Sequence, residues 1–221
     1  MSGRVGSITT DIIADGLVYN FDAANRASYI SDAATSYNTK GGSYPNMNLN
    51  NGVIPSTGSI DCWEFDGVDI QVTINGSEFI PSSTSVSTYE MWCKNNQTDP
   101  GVEYFWDFRQ GGGTYFICDY NGYDYNWSDT CQFNDSNSYT SWTQIVAIKD
   151  NDVSLLYRNG ELKATGGSID GDFGANAKIG SNNTDSGFFW NGQIASFRAY
   201  NRALSANEVL HNYNALKGRF S

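Results

Sequence analysis

The last part of the sequence, residues 177–218, constrains the fold more strongly than any other segment. Polar and apolar residues alternate over residues 193–200, which is the period of a half-buried β-strand. Helical spacing follows abruptly: Ser205 and Glu208 fit a capping box, and Gly218 stands where a helix would stop. The apolar residues after this box share one helix face: Val209, Tyr213 and Leu216. The sequence therefore predicts a strand that runs into one capped helix, which begins within a few residues of Ser205.

Short segments rich in aromatic and β-branched residues follow one another from residue 63 onwards. Asp150-Asn151-Asp152 predicts a tight hairpin, and Asn159-Gly160 is a favoured two-residue turn. The predicted strands cover residues 68–74, 86–94, 102–108, 114–120, 132–133, 143–149 and 153–159. With about five or six residues per strand and about four to six per connection, the chain holds on the order of a dozen or more strands. That number is enough for two packed sheets.

The composition indicates one domain that does not bind nucleic acid. The chain has 221 residues, with 23 glycines and only 4 prolines, and no linker-like run divides it. Its formal net charge is −11, whereas phosphate binding draws on clustered Lys and Arg. No apolar run reaches the length of a membrane span or of a signal-peptide core, so we expect synthesis in the cytosol.

Four features, in this order, are similar to the landmarks of a known fold family. They are Gly-Leu-Val-Tyr-Asn-Phe-Asp-Ala at 16–23, Asp-Gly-Val-Asp at 66–69, a strand pair that starts at Trp142 and encloses an Asn-Gly turn, and the closing strand and helix. Over residues 15–218 the chain resembles the laminin-G-like branch of the concanavalin A-like jelly rolls. The resemblance implies an all-β fold, a two-sheet antiparallel jelly-roll sandwich with one C-terminal α-helix. We expect residues 1–14 to form an N-terminal arm and residues 15–221 to form the laminin-G-like domain.

The closing residues 212–220 resemble the ends of such domains in structural proteins of tailed phages, especially marine ones. This resemblance implies a virion protein, made in the host cytoplasm, that decorates the capsid or belongs to a fibre or tail. Its expected partners are other virion proteins, contacted through the arm, and cell-surface glycans. A homo-oligomer is compatible with this role. The alternative function is a free or secreted, extracellular lectin module, and a glycoside hydrolase is the third.

Residues 63–69, Trp-Glu-Phe-Asp-Gly-Val-Asp, are superficially similar to the Glu-x-Asp-x-(x)-Glu signature of jelly-roll glycosidases. That signature places two carboxylates side by side for nucleophile and acid. Here the last acid is Asp69, and Gly67 indicates a turn inside the motif. The single histidine, His211, falls in the predicted helix, so a serine or cysteine nucleophile lacks a histidine base nearby. We therefore expect no enzymatic activity.

Calcium is a second hypothesis, because laminin-G relatives often bind Ca²⁺ through Asp and Asn oxygens of loops. The candidate ligands form three clusters: Asp66 with Asp69, Asp170 with Asp172, and Asn182 and Asn183 with Asp185. None of the clusters follows a spaced loop pattern such as the EF-hand. The alternative is that these residues form turns.

Carbohydrate binding is a third hypothesis. Sugar sites combine aromatic faces, which stack on the ring, with Asn, Asp and Gly groups that read hydroxyls. Residues 115–127 interleave these two classes, and residues 187–191 form a second aromatic patch. The candidate side chains are Asp119, Asn121, Tyr123, Tyr125, Trp127 and Trp190. We expect the three aromatic residues at 123, 125 and 127 to be exposed on a loop, where they would serve a protein partner equally well.

The four cysteines at 62, 93, 118 and 131 lack the paired short spacing of a zinc site. Cys118 and Cys131 are the sole pair close in sequence, and they bracket a loop. Because cytosolic synthesis favours reduced thiols, we expect all four to be free.

Overall fold

The computed structural model of the chain describes residues 12–29, 34–40, 46–51, 54–55, 59–75, 86–96, 101–109, 115–120, 123–134, 140–169, 173–183 and 187–221. Of these, only the backbone is described for 54–55, 75, 109, 115–120, 123–124 and 173–176.

Within this part of the chain there are sixteen β-strands and one α-helix. The strands are β1 (Leu17–Asp22), β2 (Thr35–Ser36), β3 (Met47–Asn50), β4 (Ile54–Pro55), β5 (Trp63–Asp66), β6 (Gln71–Asn75), β7 (Val86–Asn95), β8 (Glu103–Arg109), β9 (Tyr115–Tyr120), β10 (Tyr123–Trp127), β11 (Cys131–Phe133), β12 (Thr143–Asp150), β13 (Val153–Arg158), β14 (Glu161–Gly166), β15 (Phe173–Ile179) and β16 (Asn191–Tyr200). The helix α1 (Ala206–Leu216) follows, and a 3₁₀ turn, Lys217–Arg219, extends it.

The strands form two eight-stranded sheets. Sheet A has the order β14-β13-β12-β7-β16-β5-β4, and β1 also pairs with β16; sheet B has the order β11-β10-β9-β8-β15-β6-β3-β2. The strand pairs in both sheets are antiparallel. The predicted two-sheet antiparallel jelly-roll sandwich with one C-terminal helix is therefore confirmed.

Two predicted hairpins are also confirmed. Asn151 and Asp152 form the two-residue connection between β12 and β13, and Asn151 adopts the left-handed conformation with φ +53°. Asn159 and Gly160 connect β13 to β14 with φ values of +52° and +81°. Asn and Gly tolerate positive φ better than other residues, which explains why these dipeptides stand at the turns.

The core lies between the sheets and is dominated by aromatic rings. Trp63 of β5, Trp106 and Phe108 of β8, and Phe197 of β16 are buried. The Phe197 ring meets the rings of Trp106 and Phe108 edge-on, with centroid distances of 6.4 and 6.1 Å. Burying one large apolar side chain contributes about 1.5–3 kcal/mol. The inner faces of both sheets are therefore committed to the core, and only the outer faces remain for other contacts.

Helix α1 begins where the capping box predicts. The Ser205 hydroxyl accepts a hydrogen bond from the Glu208 N–H at 3.4 Å, and the Glu208 carboxylate accepts one from the Ser205 N–H at 2.8 Å. Arg202 also donates to Glu208, and these bonds hold the pKa of that carboxyl at about 2. Leu204 and Val209, on either side of the box, are both buried in the layer between the helix and sheet A.

We expect Ser205→Ala to lower the free energy of unfolding by about 1 kcal/mol, because it removes the cap of the Glu208 N–H. Urea denaturation of the two proteins measures this difference. Ser205→Thr is the matched control, since threonine keeps a capping hydroxyl and should stay close to the original stability. Equal stabilities for the alanine and threonine variants would contradict the capping argument.

A buried charge network ties sheet A to its covering layer. Arg198 of β16 is fully buried, and its guanidinium donates to Asp22 at 3.2 Å, to Glu90 at 3.5 Å and to the side-chain oxygen of Asn20 at 3.0 Å. Arg219, beyond α1, donates to the other oxygen of Asp22 at 2.7 Å. Two arginines thus face two carboxylates beneath the C-terminal segment.

The buried side chain of Asn212 connects α1 to this network. Its amide nitrogen donates to Glu90 at 2.7 Å and to the Tyr200 hydroxyl at 3.0 Å. Its oxygen accepts a hydrogen bond from the Ile13 N–H at 2.9 Å. The helix and the segment before β1 therefore both rest on the outer face of sheet A.

The contact with Ile13 involves the end of the predicted N-terminal arm, residues 1–14. Ile12 is buried in the layer beneath α1, and Ile13 packs partly buried against the same layer. Apolar side chains at these positions gain more by covering sheet A than by remaining in an arm. The rest of the predicted arm lies outside the described residues, so the division between arm and domain at residue 14 stays a prediction.

Residues 123–127, which we predicted to be a loop, belong to a strand. They form β10, which pairs with both β9 and β11. Tyr120 and Tyr123 are register partners across the intervening Asn121-Gly122. Asn-Gly is the dipeptide that two-residue hairpins favour, so the sequence did contain a signal for this strand.

Two of the cysteines are buried free thiols, Cys93 and Cys131. Burial raises the pKa of Cys93 to about 12 and that of Cys131 to about 11, which leaves both as unreactive thiols. Cys62 is also buried, and the side chain of Cys118 lies outside the described residues. No helix in the described part of the chain combines enough length with enough apolar character to cross a membrane.

Candidate functional site

Three of the predicted sugar-binding aromatic residues belong to the core. Tyr125 is 4% exposed, and Trp127 and Trp190 are fully buried. The Tyr125 ring stacks on Phe133 at a centroid distance of 4.7 Å, and Trp190 packs against Phe65 at 5.5 Å. The predicted exposure of Tyr125 and Trp127 was wrong, because residues two apart on a strand share one face, and on β10 that face points into the sandwich.

The other three candidates lie beyond what the structure describes. Asp119 and Tyr123 are placed in β9 and β10 by their backbone only, and Asn121 falls between these strands, outside the described residues.

Asp66 forms the turn that joins sheet A to sheet B. One of its carboxylate oxygens accepts hydrogen bonds from the N–H groups of Val68 at 2.9 Å, Asp69 at 3.3 Å and Ile70 at 3.3 Å. Burial alone would raise the pKa of Asp66, but these bonds outweigh it and lower that pKa. Gly67 supplies the positive φ of +76° that the turn requires. Asp66 is thus the turn former that we gave as the alternative to a calcium ligand.

The remaining calcium candidates are not brought together among the described residues. Asn182 is buried beside the end of β15, whereas Asp170, Asp172 and Asp185 lie outside the description. In the described ranges, no three His, Cys, Asp or Glu side chains lie close enough together to hold a metal ion.

A row of polar residues crosses four neighbouring strands of sheet B. Asn48 of β3 pairs in register with Thr73 of β6, Thr73 with Lys178 of β15, and Lys178 with Asp107 of β8. Residues directly opposite each other in antiparallel strands share one face. The neighbours of Asn48, Thr73 and Lys178 along each strand are buried apolar residues, so this row lies on the outer face of sheet B.

The row is partly ordered and partly available to a ligand. The Thr73 hydroxyl accepts a hydrogen bond from the Asn50 amide at 3.1 Å. Nearby, the Ser181 hydroxyl donates to the Gln71 side chain at 2.7 Å. No described residue hydrogen-bonds the side chain of Asn48 or Lys178. We name these four residues the polar row: Asn48, Thr73, Lys178 and Asp107.

A β-bulge in β8 adds an aromatic side chain to this face. The register of β8 with β9 shifts between Tyr104 and Trp106, which makes Phe105 the extra residue. Phe105 and Trp106 are both buried in the core. Tyr104 and Asp107 therefore fall on the same outer face, although three positions separate them. Bulges re-aim side chains in this way and are frequent next to binding sites.

Phe188 lies against Tyr104 at the edge of the same face. The two ring centroids are 5.9 Å apart, and the planes are inclined by 42°. Phe188 is 53% exposed and has φ +53°, a conformation that is rare for a bulky residue and costs of the order of 1–2 kcal/mol. Strained residues that persist on a surface are often functional. Tyr104 and Phe188 are named the aromatic pair.

Backbone hydrogen bonds fix the segment that carries Phe188. Gly180 donates to the Phe105 carbonyl at 3.0 Å, Trp190 donates to the Gly180 carbonyl at 3.0 Å, and Tyr104 donates to the Phe188 carbonyl at 3.1 Å. Asn183 donates from its backbone to the Asp107 carboxylate at 2.9 Å. Both ends of the connection from β15 to β16 are therefore bound to β8, beside the polar row.

Glu103 lies at the start of β8, next to Tyr104. Burial raises the pKa of its carboxyl to about 7, although a hydrogen bond from the Asn95 amide at 3.0 Å acts in the opposite direction. Near neutral pH this carboxyl is consequently divided between its charged and neutral forms.

The outer face of sheet B therefore combines amide, hydroxyl and ammonium groups with two aromatic rings, while the Asp107 carboxylate is fully buried and accepts the Asn183 N–H. Such a set can hydrogen-bond hydroxyls and stack on an apolar ring face. The polar row and Tyr104 were not among the residues predicted from the sequence. It did include Phe188, which lies in the aromatic patch at 187–191. Polar and apolar residues alternate strictly in Gln71-Val72-Thr73-Ile74-Asn75, which was the sequence signal for the row. Such alternation does not distinguish a face that binds a ligand from a face that only contacts solvent.

We expect Phe188→Gly to be more stable to unfolding than Phe188→Ala by about 1 kcal/mol, because glycine adopts positive φ without strain. Both variants lack the ring, so the comparison isolates the energetic effect of the positive φ at this position. Thermal or urea denaturation measures the difference. If alanine proves as stable as glycine, Phe188 is not strained.

A family model described as the concanavalin A-like lectin/glucanases superfamily, of the laminin-G type, matches residues 66–210. No curated protein matches the chain in sequence.

Solved structures with the same fold include binding domains of larger proteins. Domain 4 of AbnA, an extracellular GH43 arabinanase from Geobacillus stearothermophilus solved in complex with arabinotriose, superposes with a TM-score of 0.66 at 16% identity; the match covers 89% of this chain and 98% of that domain. The binding domain of botulinum neurotoxin serotype D gives 0.66 at 17% identity, over 90% of this chain and 52% of that one. The binding domain of Paraclostridial Mosquitocidal Protein 1 gives 0.67 at 17%, with the same coverage. The chain thus spans about half the length of the toxin binding domains.

Proposed function

Because the chain belongs to the concanavalin A-like lectin/glucanases superfamily, we propose that it is a non-enzymatic carbohydrate-binding module whose site is the outer face of sheet B. The observation that carries the proposal is the juxtaposition of the polar row with the aromatic pair. Helix α1 and the segment before β1 cover sheet A. On sheet B the residues after β15 cover Asp107, whereas Asn48, Thr73 and Lys178 are half-buried.

The chemistry of this face is better suited to binding a glycan than to binding a protein. Asn48 and Lys178 offer hydrogen-bonding groups without partners among the described residues, and Thr73 adds a hydroxyl. The closely spaced hydroxyls of a sugar can hydrogen-bond to such a row. The apolar face of the sugar ring can stack on an aromatic side chain. The core of a stable protein interface, in contrast, is depleted of charged residues.

Solved structures with this fold hold ligands of two classes. The AbnA domain was solved with arabinotriose, an oligosaccharide. A botulinum neurotoxin DC binding domain was solved with rat synaptotagmin II, a protein receptor. We favour a glycan for this chain because of the polar row.

The carboxylates of the glycosidase-like motif support the non-enzymatic part of the proposal. Asp66 already accepts three backbone hydrogen bonds in its turn. Glu64 accepts a hydrogen bond from the Gln193 amide at 3.1 Å. Both carboxylates have structural roles on sheet A, on the other side of the sandwich from the polar row.

We also propose that the module is displayed on the virion of a tailed phage, with a free extracellular lectin as the alternative. The resemblance of residues 212–220 to the ends of phage structural proteins supports this setting. If it is right, the chain co-purifies with infectious particles, and deletion of residues 1–11 prevents incorporation without unfolding the domain. A truncated chain that still assembles into particles would argue against docking through this segment.

The binding proposal is tested by screening the fluorescently labelled chain on a glycan array. We expect binding to one or a few related oligosaccharides, and we expect Thr73→Arg to abolish it by filling the centre of the polar row. Leu162→Arg is the matched control, because it introduces the same side chain at a 51% exposed position of β14 in sheet A.

The control should bind like the original chain. Absence of binding to any glycan on the array, or equal binding by the Thr73→Arg and Leu162→Arg proteins, would refute the assignment of the site to sheet B.

A further inference from the structure

The carboxyl of Glu103 lies between the two sheets, at the end of the sandwich where β7 connects to β8. Glu103 and Phe105 are two positions apart on β8, so their side chains share the face that points into the core. The side-chain amide of Asn95, at the end of β7, donates to the Glu103 carboxylate at 3.0 Å, and both side chains are buried. This hydrogen bond therefore joins sheet A to sheet B inside the sandwich.

The same carboxyl also holds the segment that carries Phe188. It accepts a hydrogen bond from the backbone N–H of Asn191, at the start of β16. The adjacent residue, Tyr104, donates its backbone N–H to the Phe188 carbonyl at 3.1 Å. Residues 188–191 are thus attached to the start of β8 at both ends, once through the Glu103 side chain and once through the Tyr104 backbone. Glu103 thereby helps to position Phe188, one half of the aromatic pair.

The segment 188–191 is suited to opening without the rest of the domain. Opening breaks the hydrogen bonds from the N–H groups of Tyr104, Trp190 and Asn191. It also relaxes the φ of +53° at Phe188, which is strained for a bulky residue. Segments that few hydrogen bonds hold can open locally while the core strands stay paired. We call the two arrangements of residues 188–191 closed and open.

The surroundings of Glu103 determine which charge state the closed arrangement favours. Burial raises the pKa of the carboxyl to about 7, and it outweighs the hydrogen bonds from the Asn95 and Asn191 amides, which lower that pKa. Both donors are uncharged, so they repay only part of the lost hydration of a carboxylate. The closed arrangement therefore favours the neutral carboxyl.

Charged side chains of the neighbouring strands lie on the outer faces of the sheets, not beside this carboxyl. Each of them alternates with buried core residues along its strand. They are Lys94 of β7, Asp66 of β5, Asp107 of β8 and Lys178 of β15. In β9 the register partner of Glu103 is Cys118, which is described by its backbone only.

We propose that the Glu103 carboxyl is a pH-sensitive latch for the aromatic pair: its neutral form holds residues 188–191 closed against β8, and its ionisation favours their opening. A carboxylate regains hydration when the segment opens, whereas a neutral carboxyl gains little. Glycan affinity accordingly falls as the pH rises through neutrality, because only the closed arrangement holds Phe188 beside Tyr104. This consequence for binding rests on the proposed glycan function, whereas the latch itself does not.

The direction and size of the pH effect follow from the two environments of the carboxyl. Its pKa is about 7 in the closed arrangement and returns to the ordinary value of 4.5 when the segment opens to solvent. The closed arrangement is therefore favoured most at a pH below 4.5 and becomes less favoured as the pH rises to about 7. Between about pH 5.5 and pH 8 the equilibrium constant for opening should increase about thirtyfold.

Native-state hydrogen exchange of the Tyr104 and Asn191 amides measures this opening without any glycan. The exchange is followed by NMR and corrected for the intrinsic rate at each pH. We expect the protection of both amides to fall about thirtyfold between about pH 5.5 and pH 8. Glu103→Gln, which is neutral and has the same shape, should remove this dependence. The matched control is Glu64→Gln, which removes a carboxyl from the outer face of sheet A and should keep it.

A second measurement needs no variant. The ¹³C signal of the Glu103 carboxyl in the original chain should titrate with a midpoint near pH 7, and a midpoint near the ordinary value of 4.5 would overturn the proposal. Protection of Tyr104 and Asn191 that does not change with pH would also overturn it. So would protection equal to that of the Val146 amide in the central strand β12, because residues 188–191 would then open only with the whole domain.

Glycan affinity at the two pH values tests the consequence for binding. It should fall in proportion to the closed fraction that hydrogen exchange gives, and Glu103→Gln should bind equally at both pH values. A fall in affinity that persists in Glu103→Gln would overturn the assigned regulation. Failure to bind any glycan would refute the proposed function alone, since hydrogen exchange decides the latch by itself.

Discussion

Replacing Arg198 with methionine is expected to lower the free energy of unfolding by about 3–5 kcal/mol. Arg198 is fully buried and bonds to Asp22 and Glu90, which are also buried. Methionine retains an apolar side chain of comparable length but leaves Glu90 without its nearby positive charge. Uncompensated burial of a carboxylate is the reason for the large loss.

Urea denaturation followed by tryptophan fluorescence measures this effect. The control is Lys163→Met, which removes a cation from an exposed ion pair with Glu161 and should change stability by at most about 1 kcal/mol. If both variants lose a similar free energy of unfolding, the buried charge network beneath α1 contributes no more to stability than an exposed ion pair. In that case α1 would be held on sheet A chiefly by the apolar residues of the layer.

Removing both rings of the aromatic pair is expected to weaken glycan binding by about tenfold to a hundredfold. The double variant Tyr104→Ala with Phe188→Ala deletes the stacking surface beside the polar row. Each aromatic contact is worth about 0.5–1.5 kcal/mol beyond the area it buries, and about 1.4 kcal/mol corresponds to a factor of ten in affinity. Isothermal titration with the glycan identified on the array measures the change.

Two further variants separate the loss of the rings from an indirect effect. Phe188→Tyr keeps an aromatic ring at the exposed position and should bind nearly as well as the original chain. Leu162→Ala removes an equally exposed apolar side chain from sheet A and should have no effect. Unchanged affinity in the double variant would exclude Tyr104 and Phe188 from the binding site.

The fold was predictable because its signals are local. The alternation of polar and apolar residues over 193–200 predicted β16, and the capping box of Ser205 and Glu208 predicted the start of α1. Asn151 and Asn159 marked two hairpins through their tolerance of positive φ. In each case the physical cause lies within a few residues of the chain.

The candidate site was harder to predict because its causes are distant in sequence. The polar row joins residues 48, 73, 107 and 178, which only the pairing of four strands brings together. The bulge at Phe105, which places Tyr104 on that face, has no local sequence signal.

The exposure of the aromatic residues at 123–127 was not predictable for a related reason. As a loop they would be exposed, but as β10 they present Tyr125 and Trp127 to the core. Composition alone does not distinguish the two arrangements, since aromatic residues are favoured both in strands and in binding loops.

The most direct test of the central claim is a map of amide chemical-shift changes in the ¹⁵N-labelled chain on addition of the glycan selected by the array. Our account predicts that the largest changes cluster on the outer face of sheet B, at Thr73, Tyr104, Asp107, Lys178 and Phe188. Large changes confined to other surfaces, with these five amides unmoved at saturation, would contradict it.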